Sequence, residues 1–235
     1  MADYRVYTKR NLTKRNIFGN LSITAWLIIV NVVFFIAVIL LSAIIPNITD
    51  YVALKPDNIL HGRYLWTLLT SMFMHGGLFH LFVNMFVLFS LGSLMERVIG
   101  RKRFFIFYLL AGIFAGLLFV VLAGLFGASE LGARIVGEID IPAVGASGAI
   151  FAIAGLFVIL LPKIRFSIIF FPFFSLPGYI MIPAVLFLTW IVSVGTNLPV
   201  GNSAHFGGFI AGLIYGIYLR QKYPKKISAL QKFFR

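Results

Sequence analysis

Between Leu21 and Thr49 the chain carries no charged side chain. A helix needs roughly 20 consecutive apolar residues to cross a hydrocarbon core about 30 Å thick. Residues 22–45 meet that length, and so do residues 103–126 and 179–198; residues 79–95, 147–161 and 204–219 are shorter but as apolar. Of the 235 residues, 60% are hydrophobic and only 11% charged, against about 45–50% and 25% in soluble domains. Mean hydropathy is +0.99. A water-soluble fold of this size has too little interior to hide that surface, so an integral membrane protein is expected. The sequence shows none of the alternating ten-residue segments of a membrane barrel. The expected fold is therefore all-α and polytopic, a bundle of six transmembrane helices. Residues 22–45 are too long for the apolar part of a signal peptide and lack a small-residue cleavage site, so they read as a retained anchor.

The charges fall in blocks. Arg5, Lys9, Arg10, Lys14 and Arg15 precede the first apolar stretch. Arg97, Arg101, Lys102 and Arg103 lie between the second and third, and Lys163 and Arg165 follow the fourth. Arg220, Lys222, Lys225, Lys226, Lys232 and Arg235 follow the sixth. With six spans, 17 of the 20 basic residues share one side, while the opposite loops hold Lys55, Arg63 and Arg134 with five of the seven acids. This is the positive-inside pattern. It predicts a multi-pass protein of the cell membrane with cytoplasmic termini. A basic N-terminal segment (1–21) is expected to precede a transmembrane core (22–219) and a basic tail (220–235). Topology and contact with anionic lipid account for the net charge of +13, so no nucleic-acid partner is expected.

Four polar side chains share one depth in this scheme. Ser147 lies 15 residues ahead of Pro162, His205 15 ahead of Arg220, and His80 16 ahead of Glu96. At 1.5 Å per residue each stands roughly 22–24 Å from the inner boundary. Asn84 follows His80 at i+4, on the same helix face. Polar groups within spans are costly and point to a site. Taken singly, each has a plainer reading. Ser147 can cap a helix or pack against one, His205 can cap or bridge helices, and His80 with Asn84 can be polar packing.

Together they offer chemistry that none supplies alone. A serine becomes a nucleophile when a base, most often histidine, takes its proton. An acyl-transfer intermediate needs hydrogen-bond donors at its oxyanion. Ser147 and His205 fit the first requirement; His80, Asn84 and the Ser147 amide fit the second. Gly208, Gly212 and Gly216 follow His205 along one helix, and Gly148, Ala152 and Gly155 follow Ser147 along another. Small residues at such spacing let membrane helices approach closely, which would bring Ser147 to His205. No H-E-x-x-H zinc motif occurs, and no acid sits within a span except Glu96 at an inner end, so metal and aspartyl mechanisms lack their residues. With no cysteine, thiolate chemistry and disulfides are excluded.

Three segments carry a resemblance: "WTLLTSMFMHGGLFHLFVNM" (66–85), "VGASGAIFAIAG" (144–155) and "AHFGGFIAGLIYG" (204–216). In order and placement they resemble the rhomboid family of intramembrane serine proteases. The resemblance implies Ser147 as nucleophile and His205 as general base, with His80, Asn84 and the Ser147 amide lining an oxyanion hole. Gly145 would form the turn before the serine, and Phe151 would pack on the histidine. It implies cleavage of transmembrane protein substrates near their outer ends, without cofactor or metal. The family often has Trp-Arg in the first external loop; here Thr67 follows Trp66, with Arg63 nearby as a substitute. Asp140, the acid nearest Ser147 in sequence, is expected to stay in its loop, leaving His205 to be oriented by packing and backbone contacts. Residues 179–198, with Phe187, Trp190 and Pro183, are the expected moving wall for lateral access, and residues 198–203 its cap. A silent scaffold and a transporter remain as rivals. The first is opposed by the presence of both Ser147 and His205, the second by the absence of an internal repeat.

Overall fold

The computed structural model describes residues 21–168, 171–196 and 201–234. The basic residues 5–15, residues 198–200 of the expected cap and Arg235 lie outside this range. Helices stand over all six apolar stretches: α1 (Ile23–Ser42), the pair α4 (Leu78–Val87) and α5 (Ser93–Ile99), α6 (Arg101–Phe126), α8 (Ser147–Leu160), α9 (Gly178–Thr196) and α10 (Asn202–Lys222). One π turn, Leu88–Gly92, joins α4 to α5 without a break. Short helices α2 (Pro56–Leu60), α3 (Thr67–Thr70) and α7 (Glu130–Val136) fold the loops, and α11 (Pro224–Phe233) closes the chain. Between α8 and α9 the strands β1 (Arg165–Ile168) and β2 (Phe171–Pro177) form an antiparallel ribbon.

Among the described residues, four helical stretches are long and apolar enough to cross a membrane: Ile23–Ser42, Leu78–Ile99, Arg101–Phe126 and Gly178–Thr196. The chain is a helical membrane protein. Helix α8 has 14 residues, below that length. It is the most enclosed helix: Ile153, Leu156, Phe157 and Leu160 have no exposed surface. A buried central helix needs no lipid-facing side, so it can be short and apolar all round.

Helix α10 lies alongside α8 at backbone contact. A Cβ on Gly208 would collide with the Gly148 carbonyl oxygen, and one on Gly212 with that of Ala152. From Gly155 it would reach 2.5 Å from the Phe209 carbonyl oxygen, and from Gly216 2.8 Å from Ile159. The register Gly148–Gly208, Gly155–Gly212 and Ile159–Gly216 shows the two helices running parallel. The expected small-residue faces thus meet each other, and the first turn of α8 lies beside the first turns of α10.

At the opposite end a carboxylate holds α1. Glu96 is 5% exposed and accepts from the Ile23 N–H at 2.9 Å, the Thr24 N–H at 2.8 Å and the Thr24 hydroxyl at 2.8 Å. Two of the free N–H groups of the first turn of α1 are thereby satisfied by another helix. Arg101 Nε lies 3.7 Å from the same carboxylate. Here too the chain continues past α10 in order. Arg103 donates to the Tyr223 hydroxyl, Ile227 of α11 is buried, and Gln231 donates to the carbonyls of Ile159 and Leu160 at 3.3 and 3.2 Å. One end of the bundle therefore collects the start of α1 and the ends of α5, α8 and α10.

Candidate active site

Ser147 is the first residue of α8, and Ala146, not Ser147, occupies the cap position. The serine hydroxyl is therefore not used to cap its helix; it lies 2.7 Å from His205 Nε2. Both side chains sit in the first turns of their helices, held together by the contact of Gly148, one position after Ser147, with Gly208, three positions after His205. The backbone N–H of Ser147 is at a helix start, where it has no acceptor within the helix.

His205 is fixed chiefly by packing. Its ring stacks on Phe151, one turn after Ser147, at 4.6 Å between centroids and 29° between planes. Among the described residues Nδ1 is buried without a hydrogen-bond partner, and the backbone contact expected for it is not made there. Asp140 does not approach: it pairs with Lys55 at 3.0 Å on the surface.

The turn before Ser147 requires glycine. Gly145 has φ +123°, a conformation that L side chains rarely adopt, and a Cβ there would stand 3.0 Å from His80 Cε1 and Nε2. Its N–H donates to the Ser71 carbonyl at 2.9 Å. Just upstream, Leu54 and Ala143 exchange two backbone hydrogen bonds of 3.0 and 2.8 Å, tying this turn to the first loop. The imidazole of His80 thus lies against the turn that presents Ser147.

One contact fixes which nitrogen of His80 donates. The Gly76 N–H donates to His80 Nδ1 at 3.3 Å. An accepting Nδ1 places the proton of the neutral ring on Nε2, the nitrogen beside Gly145. Gly76 was not singled out from the sequence; its position four residues before His80 is the only signal it carries there. His75 meets the His80 ring edge-on at 5.1 Å. Asn84 is 5% exposed and donates from Nδ2 to the His80 carbonyl at 2.8 Å. An amide nitrogen carries two hydrogens, so this bond leaves one free.

Ser147, His205, His80, Asn84, Gly145, Gly148 and Phe151 all line one cavity of 1690 Å³. Gly208 and Gly212 do not; they act in the α8–α10 contact. The exposed residues Glu130, Arg134 and Glu138 also line the cavity, as do Phe86 and Val87 of α4 and Met181, Ile182 and Val185 of α9. The C-terminal half of α9 is held by two hydrogen bonds: Trp190 donates to the Ile135 carbonyl at 2.8 Å, and Asn202 donates to the Ser193 hydroxyl at 2.8 Å. Arg63 pairs with Asp57 at 3.0 Å in the first loop, and Trp66 donates to the Tyr51 carbonyl at 2.8 Å. Among the described residues no group of three or more His, Asp or Glu is gathered to hold a metal ion.

A serine hydroxyl on a histidine, with donors gathered beside it in a cavity, is an arrangement suited to acyl transfer. The chain is similar in sequence to known proteins. The chain is 30% identical over 167 residues to human "Presenilin-associated rhomboid-like protein, mitochondrial", covering 71% of this chain and 41% of that protein. It is 31% identical over 163 residues to "Rhomboid protein 1, mitochondrial" of Saccharomyces cerevisiae, covering 68% and 43%. With "RHOMBOID-like protein 4" of Arabidopsis thaliana it is 32% identical over 166 residues, covering 71% and 37%. The chain thus spans less than half the length of each of these relatives. Residues 62–222, from the first loop through α10, match the model of the Rhomboid domain, and the chain belongs to the rhomboid family.

Proposed function

We propose that this protein is an intramembrane serine endopeptidase that hydrolyses peptide bonds in or near transmembrane segments of other membrane proteins. The observation that carries this reading is the 2.7 Å contact between the Ser147 hydroxyl and His205 Nε2, inside a cavity lined also by residues of α4 and α9. His205 takes the Ser147 proton as the hydroxyl attacks the scissile carbonyl, and returns it to the leaving amine. His80 Nε2–H, the free Asn84 amide hydrogen and the Ser147 N–H hold the oxyanion. No cofactor enters. A substrate helix hides its carbonyls in its own hydrogen bonds, so the scissile segment unwinds first, most readily at glycine, proline or other weak helix formers. It arrives laterally, through the opening between α4 and α9.

The test combines a small probe with a large substrate. A fluorophosphonate should label Ser147 in the folded protein, and labelling should vanish in His205→Ala. A reversible disulfide between cysteines placed near the outer end of α9 and the first turn of α4 should stop cleavage of a reporter transmembrane substrate and spare the labelling. Labelling that ignores His205 would remove the dyad. Full cleavage in the cross-linked protein would move the access route elsewhere.

The oxyanion assignment has its own signature. A single donor is worth ~2.7–4 kcal/mol where it acts almost alone. Three donors share the task here, so Asn84→Ala should lose about 1–3 kcal/mol of transition-state stabilisation, mainly in kcat. A rise in KM with kcat unchanged would make Asn84 a binding or packing residue.

The six helical segments are read as six spans, α8 and α10 included, with both termini on the basic, cytoplasmic face and the Ser147 cavity opening on the other. Support comes from the basic side chains at the ends of α8 and α10 and from the exposed Glu130, Arg134 and Glu138, which line the Ser147 cavity. A cysteine replacing Glu130 should react with an impermeant thiol reagent from outside intact cells, and one replacing Lys102 should not. The opposite pattern inverts the orientation.

A further inference from the structure

The ribbon between α8 and α9 exposes aromatic rings at the basic end of the bundle. Phe173 is fully exposed and Phe174 is 53% exposed. Neighbouring strand residues point to opposite faces, so the ribbon carries a phenyl ring on each side. Its root is well held. Phe166 meets Phe157 of α8 edge-on at 5.4 Å, Gly178 N–H donates to the Ile164 carbonyl at 2.7 Å, and Arg165 Nε donates to the Ser175 hydroxyl at 3.0 Å. Beyond that root nothing among the described residues covers Phe173.

Two environments are unsuited to such a ribbon. In water an isolated two-stranded ribbon is marginal, and Phe173 and Phe174 put an exposed ring on each of its faces. In the hydrocarbon core the outer edges of both strands would leave backbone N–H and C=O groups unpaired. The lipid–water boundary satisfies both needs: acyl chains for the rings, and headgroups with water for the edges. The ribbon's position agrees. It hangs from the end of α8, which lies beside the end of α10, where Lys163, Arg165, Arg220 and Lys222 are exposed. Among the described residues the carboxylate at this end, Glu96, is buried against α1. The ribbon also runs straight into the exposed apolar side of α9, with Tyr179 and Ile180 at its start and Phe187 and Leu188 further along.

We infer that the ribbon docks in the membrane surface at this end. Phe173 and Phe174 sit among the acyl segments nearest the headgroups, and Lys163 with the neighbouring basic side chains meets anionic headgroups. Phe166 and Ser167 line the lower part of the cavity that holds Ser147. Docking therefore sets the floor of that cavity at headgroup level. The inference rests on the membrane assignment and is independent of peptidase activity.

The chain has no cysteine, so Phe173→Cys provides a unique attachment point for an environment-sensitive fluorophore. The full chain is reconstituted in vesicles of zwitterionic lipid with an anionic fraction, and Glu130→Cys serves as the reference at the opposite end. Emission from position 173 is expected to be blue-shifted relative to the reference. It should lose most of its intensity to lipids bearing a nitroxide near the headgroup, and resist iodide supplied on both sides. Omitting the anionic lipid should weaken the nitroxide quenching. Iodide quenching equal to the reference, without nitroxide quenching, would place the ribbon in water and overturn the proposal. Strongest quenching by a nitroxide at the acyl-chain end would overturn the surface placement, and indifference to anionic lipid would overturn the headgroup contact. Phe174→Cys, measured the same way, gives the same decision if the first variant does not fold.

Discussion

Ser147→Ala is expected to reduce cleavage of a reporter transmembrane substrate by on the order of 10⁴-fold or more, and His205→Ala by a similar factor. At 1.36 kcal/mol per tenfold, a 10⁴-fold loss is about 5.4 kcal/mol of transition-state stabilisation. The two changes should not add. With the hydroxyl gone His205 has no proton to take, and with the imidazole gone the hydroxyl stays a weak nucleophile. The double variant should therefore be no slower than either single one. Stability should change little in Ser147→Ala, because the hydroxyl makes its contact with His205 and caps no helix. His205→Ala removes a ring stacked on Phe151 and is expected to lose some stability. The decisive comparison is hence kcat/KM for each variant beside its unfolding midpoint in detergent. Undiminished cleavage in folded Ser147→Ala would leave the chain as a rhomboid-like scaffold that binds membrane helices without cutting them. Additive losses would show that serine and histidine act separately.

The placement of Ser147 beside His205 was legible in the sequence because it depends on periodicity that survives in an apolar helix. Small residues at fixed spacing mark a face even when every other residue is apolar, and two such faces, after Ser147 and before Gly216, point to each other. The stacking of Phe151 on His205 was an expectation of the family resemblance alone. Hydrophobic periodicity itself says nothing inside such a helix. The π turn at Leu88–Gly92 could not be read, because a helix apolar on all sides has no register to lose. The ribbon was hidden for a related reason. "RFSIIFFPFFSLP" (165–177) lacks the alternation of a half-buried strand. An apolar run of that length between two helices fits a strand, a loop or a helix end equally well. The Glu96 cap joins residues 72 and 73 positions apart. In the sequence Glu96 appears only as an acid at the end of a span. Docking of α11 turns on Ile227 among lysines and on Gln231, whereas basic composition marked residues 220–235 only as a basic tail. Local spacing, in short, carries through to the packing of adjacent helices, whereas long-range polar contacts and backbone register do not.

Gly208→Val is expected to be the most damaging single change away from the reacting atoms. The atom that an added Cβ meets is the Gly148 carbonyl oxygen, a backbone atom of α8. A flexible side chain could turn aside, but a helix backbone can only move away as a unit. Overpacking a core typically costs 1–3 kcal/mol and sometimes more. The loss here should reach at least about 3 kcal/mol, because the whole α8–α10 contact must open. Gly212→Val meets the Ala152 carbonyl in the same way, one turn further from the site. The two should differ in what they do to Ser147. Gly208 lies within a turn of His205, and a shift of about 1 Å at reacting groups can lose 10²-fold in rate. Gly208→Val should therefore depress fluorophosphonate labelling even under conditions where the protein stays folded, and Gly212→Val should do so less. Gly195 is the control. Among the described residues an added Cβ there meets nothing within 4 Å, and glycine within a helix is about 1 kcal/mol less favourable than alanine. Gly195→Ala should accordingly be neutral or mildly stabilising. Unfolding in mixed micelles gives the stability order, and the labelling rate of Ser147 in the surviving folded fraction gives the geometry. If Gly208→Val unfolds like the unmodified protein and labels at the same rate, close approach of α8 and α10 is not what sets the 2.7 Å contact between Ser147 and His205.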